Sequence, residues 1–237
     1  MQPTSPEKPI SVILLAGGKG SRMESAIPKQ FLLLGLKNVA RHSFDLFLSM
    51  PEVKEIVVVC EPIYRDLFQT DSLTPIHFAL PGERRQDSVY NGFNAIKESN
   101  PLVCIHDSAR PFITRKLVQR VIHAALAHGA ATAAMPIKFT VKESNAQLFV
   151  THTPDRSKIW EIQTPQIIDY PLLAEGFNRC HAQKLTVTDD VSLVELLNKK
   201  VSLVEGSDTN LKITTTKDLL ISQYIMQTAH ASCTNEQ

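Results

Sequence analysis

The sequence predicts an α/β fold of the Rossmann-like kind, in which helices flank a mainly parallel sheet and an extended β-arm projects. Short apolar runs alternate with segments whose apolar residues recur at helical spacing. A glycine-rich stretch at residues 17–20 directly follows the first apolar run. Repeated strand–helix units form parallel sheets, and such sheets bind ligands at the carboxyl ends of their strands.

The strands are predicted from apolar runs that are short and suited to burial on both faces of a sheet. These runs are residues 10–16, 55–60, 76–80, 102–106 and 130–137, and a later one is residues 201–205.

The helices are predicted where the apolar period changes to three or four residues. The stripes are Ala40, Phe44, Phe47 and Leu48, then Val89, Phe93 and Ile96, then Leu117, Val118, Val121, Ile122 and Ala125. Thr114 is a suitable N-cap for the third helix. Further helices are expected near residues 170–180 and 189–199. A last one begins near Thr215, which stands three residues before Asp218 at capping-box spacing.

The segment at about residues 139–160 interrupts this rhythm. It alternates polar and apolar residues, contains Pro154 and shows no helical stripe, which predicts an extended hairpin or arm. Because a projecting arm exposes unpaired edges, we expect a second subunit to cover it in a homodimer. No repeat or linker divides the chain, so we expect one domain over residues 1–237, with residues 1–9 as a flexible tail.

Composition narrows the class of protein. The 237 residues are 43% hydrophobic and carry a net charge of +1 that is evenly scattered, which argues against nucleic acid or a membrane surface as a partner. No apolar run approaches the length of a membrane span and no signal peptide is evident, so a cytoplasmic location is expected. The four cysteines are too far apart for a zinc pattern and are expected to be reduced and mostly buried.

The glycine-rich stretch predicts a phosphate-binding loop. Glycines let backbone N–H groups approach an anion, and Lys19, Arg22 and Lys29 add positive charge, so the expected ligand is a nucleoside triphosphate. The loop is neither a Walker A motif nor a dinucleotide fingerprint, since Arg22 and Met23 occupy positions where those motifs need other residues. A purely structural turn is the alternative, and the following Pro28-Lys29-Gln30 weighs against it.

Two later loops also follow predicted strands. The loop at residues 81–88 opens a helix, where Asp87 and Ser88 are either helix caps or ligand contacts. The loop at residues 107–111 begins with Asp107, whose carboxylate suits Mg²⁺ or a substrate hydroxyl; the alternative is a salt bridge with Arg110.

Taken in order, these motifs resemble those of the 2-C-methyl-D-erythritol 4-phosphate cytidylyltransferase family of the non-mevalonate isoprenoid pathway. The motifs are LLAGGKGSRM, PKQF, GERRQDSV, IHDSARPF, DRSKIWEIQTPQ, TDD and EGSDTNLKIT, and they span roughly residues 10–220. The resemblance implies transfer of CMP from CTP to 2-C-methyl-D-erythritol 4-phosphate, with Mg²⁺ as cofactor and release of pyrophosphate.

The resemblance also implies roles for individual residues. Its catalytic cations are Arg22, Lys29 and Lys212. The positions that hold CTP are Ala16, Gly17, Gly18, Gly82, Glu83 and Ser88. The positions that hold the acceptor are Asp107, Arg110, Thr140, Arg156, Thr164 and Thr188, of which the arm residues come from the partner subunit. Asp107 is also the candidate Mg²⁺ ligand, unless the metal is held through the phosphates of CTP. Glu83 and Ser108 depart from the residues that are common in the family, which leaves contacts to the base less defined than those of the cations.

Three other functions stay open at this stage. A ribitol 5-phosphate cytidylyltransferase would share the glycine loop and PKQF, although residues 85–88 and DRSKIW are closer to the methylerythritol enzymes. A sugar-phosphate uridylyl- or guanylyltransferase could use the same loop. A catalytically silent nucleotide-sensing dimer has no need of Arg22, Lys29 and Lys212 together. No general base is required for the transfer, and His106 is predicted to be a packed core histidine.

Overall fold

A seven-stranded sheet forms the centre of the molecule in the computed structural model, which describes residues 9–18 and 27–234. Its strands are β1 (Ile10–Leu15), β4 (Val53–Val59), β5 (Ile76–Ala79), β6 (Leu102–Asp107), β7 (Ala130–Pro136), β10 (Trp160–Asp169) and β11 (Ser202–Glu205). Their order is β11-β7-β10-β6-β1-β4-β5. All neighbours are parallel except β10, which is antiparallel to β6 and β7. The predicted mainly parallel fold is therefore confirmed.

Helices cover both faces of this sheet. They are α1 (Val39–Leu48), α2 (Arg85–Asn94), α3 (Arg115–His128), α4 (Tyr170–Ala182), α5 (Ser192–Glu195) and α6 (Thr216–Thr234). Successive residues of β1 point to opposite faces, so Val12 and Leu14 pack with α1 and α3, whereas Ile13 packs with α2, α4 and α5. None of the described helices is long and apolar enough to cross a bilayer.

The predicted caps are present. The Thr114 hydroxyl accepts a hydrogen bond from the Leu117 N–H at 3.2 Å, which begins α3. At the start of α6, the Asp218 carboxylate accepts from the Thr215 N–H at 2.8 Å, and the Asp218 N–H donates back to the Thr215 hydroxyl at 3.3 Å. These reciprocal bonds are the predicted capping box.

Two features differ from the sequence prediction. The strand β10 was missed because Pro165 interrupts its apolar run, and proline cannot donate to a ladder. The strand accommodates it where its pairing with β7 shifts between Ile162 and Gln166. The helix expected over residues 189–199 is α-helical only from Ser192 to Glu195, since tight turns flank it and Asn198 adopts a left-handed conformation with φ of 56°.

Two small hairpins extend from the sheet. The first comprises β2 (Leu33–Leu34) and β3 (Lys37–Asn38), after a 3₁₀ turn at Lys29–Phe31. The second comprises β8 (Glu143–Ser144) and β9 (Val150–His152), followed by a 3₁₀ turn at Arg156–Lys158. The second hairpin lies within the predicted arm, and its extended structure is confirmed.

Candidate active site

A cavity of about 610 Å³ opens where β1, β4, β5 and β6 end. The strand β1 lies between β6 and β4. The next strands of this sheet, β4 and β5, lie on one side of β1, and the chain then crosses to the other side to form β6, so the strand order reverses at β1. Such a switch point is where open α/β sheets bind ligands. Of the residues predicted to hold the nucleotide, the cavity is lined by Gly17, Gly18, Gly82, Glu83 and Ser88. It is also lined by Lys29, Asp107 and Lys212.

Two different constraints shape the glycine loop after β1. A Cβ added to Gly17 would lie 2.4 Å from the Pro81 Cγ, so Gly17 is required by packing. A Cβ added to Gly18 would meet nothing within 4 Å. The buried Gln30 side-chain amide fixes the loop from behind, since its Nε2 donates to the carbonyls of Ala16 and Gly18, each at 2.8 Å. The open side of Gly18 therefore faces space that a ligand can fill.

The start of α2 forms the opposite wall and is held by its own side chains. The Asp87 carboxylate accepts from the Arg84 N–H at 3.1 Å and from its guanidinium at 2.7 and 2.9 Å. The Ser88 hydroxyl accepts from the Gly82 N–H at 2.9 Å and donates to the Arg84 carbonyl at 3.2 Å. Asp87 is thus a helix cap, whereas Ser88 both fixes the loop and lines the cavity.

Asp107 is the centre of a chain of charges at the end of β6. Its Oδ2 lies 2.5 Å from the Lys212 Nζ, and its Oδ1 lies 3.2 Å from the Arg85 Nη2. The Arg85 guanidinium also forms two 2.7 Å bonds with the buried Asp190 carboxylate. The salt bridge considered from the sequence, between Asp107 and Arg110, is replaced by these contacts with Lys212 and Arg85.

The charges fix the ionisation of the cluster. Burial acts to raise the pKa of Asp107, but the Arg85 guanidinium and the Lys212 ammonium outweigh it and hold that pKa well below its ordinary value. Burial opposes the charge of Arg85, yet the Asp190 and Asp107 carboxylates raise its pKa. Asp107 is therefore an anion with both oxygens engaged at neutral pH.

His106 immediately precedes Asp107 on β6 and is fully buried. Its Nδ1 lies 3.0 Å from the Thr164 hydroxyl, and its Nε2 lies 3.2 Å from the Arg110 carbonyl oxygen. The same Thr164 hydroxyl accepts from the Asp107 N–H at 3.1 Å. Burial lowers the pKa of His106 to about 4, so the ring is neutral at physiological pH. The prediction of a packed, hydrogen-bonded core histidine is confirmed.

Several predicted site residues do not face the cavity in this chain. Thr164 and Arg110 are buried, and the Arg110 Nη1 donates to the Asn210 carbonyl at 2.6 Å. Thr188 is exposed in the loop before α5. Thr140 and Arg156 are exposed on the arm, where the Arg156 Nη1 donates to the Lys138 carbonyl at 3.2 Å. The carbonyl of Ala16 accepts the hydrogen bond from the Gln30 side chain described above. Arg22 lies outside the described residues.

Four residues of the site scaffold were not assigned from the sequence: Gln30, Arg85, Asp190 and Asn210. Gln30, Arg85 and Asp190 lie inside the motifs PKQF, GERRQDSV and TDD, and Asn210 lies inside EGSDTNLKIT. Their positions inside those motifs could have marked them as site residues, but nothing in the sequence indicated which residues they contact. Arg85 and Asp190 are 105 positions apart, and only the folded sheet brings them together.

The fold and the cavity define a doubly wound α/β protein with a cation-bearing ligand site at its switch point. A profile of the 2-C-methyl-D-erythritol 4-phosphate cytidylyltransferase family matches residues 10–228. The chain belongs to this family.

Individual relatives agree with the assignment. The chloroplastic enzyme of that name from Oryza sativa is 49% identical over 224 residues, which cover 93% of this chain and 75% of the relative. The one from Chlamydia pneumoniae is 39% identical over 216 residues, covering 91% and 98% of the two chains. The crystal structure of a 4-diphosphocytidyl-2C-methyl-D-erythritol synthase from Anaerococcus prevotii superposes with a TM-score of 0.82 at 30% identity, covering 93% and 97%.

Proposed function

We propose that this protein transfers CMP from CTP to 2-C-methyl-D-erythritol 4-phosphate, which releases pyrophosphate and forms 4-diphosphocytidyl-2-C-methyl-D-erythritol. The observation that carries the proposal is the convergence of Gly18, Lys29 and Lys212 on one cavity at the switch point of the sheet. Membership of the cytidylyltransferase family supports the identity of both substrates.

The glycine loop and the start of α2 are the proposed binding site for CTP. The open side of Gly18 lets the backbone approach the phosphates, as a side chain there would occupy cavity space. Gly82, Glu83 and Ser88 line the facing wall and are assigned to the cytosine and ribose. Because both walls are fixed by hydrogen bonds of the protein itself, CTP enters a site that is already formed.

Positive charge is the proposed source of catalysis. The acceptor phosphate attacks the α-phosphorus of CTP in line and expels pyrophosphate, so negative charge builds on the equatorial and leaving oxygens. Lys29 and Lys212 line the cavity and are proposed to stabilise that charge, and the family resemblance assigns Arg22 the same role. Asp107 holds the Lys212 ammonium at the cavity wall, which limits the reorganisation needed during the reaction.

The transfer needs no protein base. A phosphate monoester has its second pKa near ~6, so the attacking group is mostly a dianion at neutral pH. His106 is unsuited to the task, because both of its ring nitrogens are engaged inside the protein and burial lowers its pKa to about 4.

Mg²⁺ is proposed as the cofactor, held mainly by phosphate oxygens and water. Among the described residues, no group of three or more His, Cys, Asp or Glu side chains is arranged to hold a metal ion. Asp107 offers one carboxylate at the cavity, and Lys212 and Arg85 already contact it. With both oxygens of Asp107 engaged by cations, phosphate oxygens and water would be the main ligands, which suits Mg²⁺ because it usually keeps several waters. Bound there, the ion would neutralise phosphate charge during the transfer.

The acceptor site is proposed to be completed by a second subunit. Thr140 and Arg156 belong to the arm and are exposed, although the family resemblance assigns them to the acceptor. Four large apolar side chains of the same arm are also exposed: Phe139 at 80%, Leu148 at 87%, Phe149 at 71% and Val150 at 61%. A homodimer in which each arm reaches the other chain's cavity would cover these side chains and bring Arg156 to the acceptor phosphate.

Pyrophosphate release tests the proposal. The purified protein is incubated with CTP, UTP, GTP or ATP, each paired with 2-C-methyl-D-erythritol 4-phosphate or ribitol 5-phosphate. We expect release only with CTP and the methylerythritol phosphate. Preference for ribitol 5-phosphate or for another triphosphate would replace the proposed substrates. Binding of CTP without release in any pair would favour a nucleotide sensor.

A further inference from the structure

The segment that carries Lys212 is irregular in structure but firmly anchored. It runs from the end of β11 to the start of α6, across residues 206–215. Loops of this kind are usually more mobile than the elements they connect. In this one, Asn210 and Ile213 are 0% exposed, and they flank Lys212 in sequence. A lysine on a loop needs such anchoring if its ammonium is to occupy one position.

Asn210 anchors this loop through hydrogen bonds of both its side chain and its backbone. Its side-chain Nδ2 donates to the Gln163 Oε1 at 3.0 Å and to the Thr164 carbonyl at 2.9 Å. Its backbone carbonyl accepts from the Arg110 Nη1 at 2.6 Å, and its N–H donates to the Ser207 carbonyl at 3.0 Å. The side-chain amide of Asn210 thus joins the loop to β10, and its backbone carbonyl joins the loop to the turn after β6.

These bonds belong to a closed ring that contains the candidate catalytic lysine. Asn210 donates to the Thr164 carbonyl, and the Thr164 hydroxyl accepts from the Asp107 N–H. The Asp107 carboxylate then contacts the Lys212 ammonium, two residues beyond Asn210. The ring fixes the distance between the loop and the end of β6. A shift of Asn210 therefore moves Lys212 relative to Asp107.

We infer that Asn210 is a positioning residue, which acts on the reaction by holding Lys212 at the cavity wall. The inference rests on the proposed function of Lys212. It assigns Arg110 a supporting role in the same anchor, since the Arg110 guanidinium is turned to the Asn210 carbonyl. Misplacement of a catalytic group by about 1 Å costs up to roughly 100-fold in rate, so loss of the anchor should be visible in kinetics.

A double-mutant cycle tests this inference. Asn210→Ala, Lys212→Met and the double variant are compared by kcat/KM in the pyrophosphate assay. We expect Asn210→Ala to lower kcat/KM by about 10- to 100-fold in the wild-type background. In the Lys212→Met background the same substitution should lower it by less than about twofold, because its effect passes through Lys212.

Asn100→Ala is the matched control. Asn100 is also buried, and its Nδ2 donates to the Ser11 hydroxyl at 2.9 Å near the opposite end of β1. This variant should melt at a lower temperature with kcat/KM unchanged. If Asn210→Ala does not fold, Gln163→Met takes its place in the cycle, since it removes one acceptor of the Asn210 amide and also the bond from the Gln163 Nε2 to the Ser207 carbonyl of the same loop.

The outcomes separate two errors. Equal losses for Asn210→Ala with and without Lys212 would overturn the inference while leaving the proposed function intact. Full activity of Lys212→Met would overturn the proposed role of Lys212 and the inference with it. Full activity of a folded Asn210→Ala variant, beside a slow Lys212→Met variant, would show that the anchor has no kinetic role.

Discussion

The cavity and the arm organise their charged residues in opposite ways. At the cavity, the buried Asp107 carboxylate lies within 3.2 Å of the charged groups of both Arg85 and Lys212, whose side chains are only partly exposed. On the arm, Arg156 is exposed and contacts the carbonyl of Lys138 in its own segment. The difference fits the proposal that one chain forms the nucleotide pocket by itself and that a second chain completes the acceptor pocket.

The largest expected loss of activity comes from substituting Lys29, a cation that lines the cavity. Lys29→Met should lower kcat by about 100- to 1000-fold, because the ammonium stabilises charge that develops in the transition state. Steady-state kinetics with saturating CTP and acceptor measure the change. Near-normal turnover would remove Lys29 from the proposed catalytic set.

Subunit mixing tests the arm directly. Arg156→Ala and Lys29→Ala should each be nearly inactive alone, because the proposal gives Arg156 a bidentate contact with the acceptor phosphate and gives Lys29 the stabilisation of the transition state. In a heterodimer of the two variants, one site carries both lesions and the other carries neither. Random pairing should therefore restore up to about a quarter of wild-type activity. Gel filtration of the wild type as a monomer, or no recovery after subunit exchange, would refute the shared acceptor site.

The two adjacent glycines of the loop sharpen the description of the cavity. Gly18→Ala should fold normally and raise KM for CTP about tenfold, the equivalent of one lost hydrogen bond. Gly17→Ala should instead lower the free energy of unfolding by about 1–3 kcal/mol, because its Cβ would clash with Pro81. Thermal melts and CTP titrations on both variants measure these effects. Equal loss of stability in the two variants would contradict the assignment of Gly18 to the ligand.

The smallest kinetic effect is expected at His106. The acid limb of the rate should follow the second ionisation of the acceptor phosphate near ~6, and it should keep this position in His106→Asn. Loss of activity in a folded variant would identify a catalytic histidine that the structure does not suggest.

Stability should respond to His106 even though the rate does not. Its pKa is about 4 in the folded protein and 6.5 in the unfolded chain, so the unfolded chain binds more protons between these values. The wild type should therefore lose up to about 3 kcal/mol of stability through this group as pH falls from 6.5 to 4. His106→Asn should lack that loss. The lowered pKa of Asp107 adds its own loss only below the ordinary pKa of Asp, about 3.9.

The sequence predicted the parts of the fold whose signals are local. The runs that became β1, β4 and β6 are continuous and apolar, and Thr114 stands where a cap is needed. The strand β10 escaped prediction because Pro165 stands inside it.

The candidate site shows the same division. The glycine loop, Lys29 and Asp107 were found because each follows a strand end or belongs to a short motif. The contacts of Arg85 with Asp190 and of Asn210 with Thr164 join segments far apart in the chain, and no spacing rule reports them. The proposed contact of the arm with a second chain leaves no local pattern beyond the alternation of polar and apolar residues in the segment at about residues 139–160.

The 3₁₀ turn at Lys29–Phe31 links the two halves of the nucleotide pocket mechanically. Lys29 lines the cavity, while the next residue, Gln30, grips the carbonyls of Ala16 and Gly18 behind the loop. Gly18 is therefore connected to Lys29 through the side chain of Gln30 and one peptide bond. The spacing between the glycine loop and the lysine is therefore set by the protein before a nucleotide binds, and a change at Gln30 would alter both sides of the pocket together.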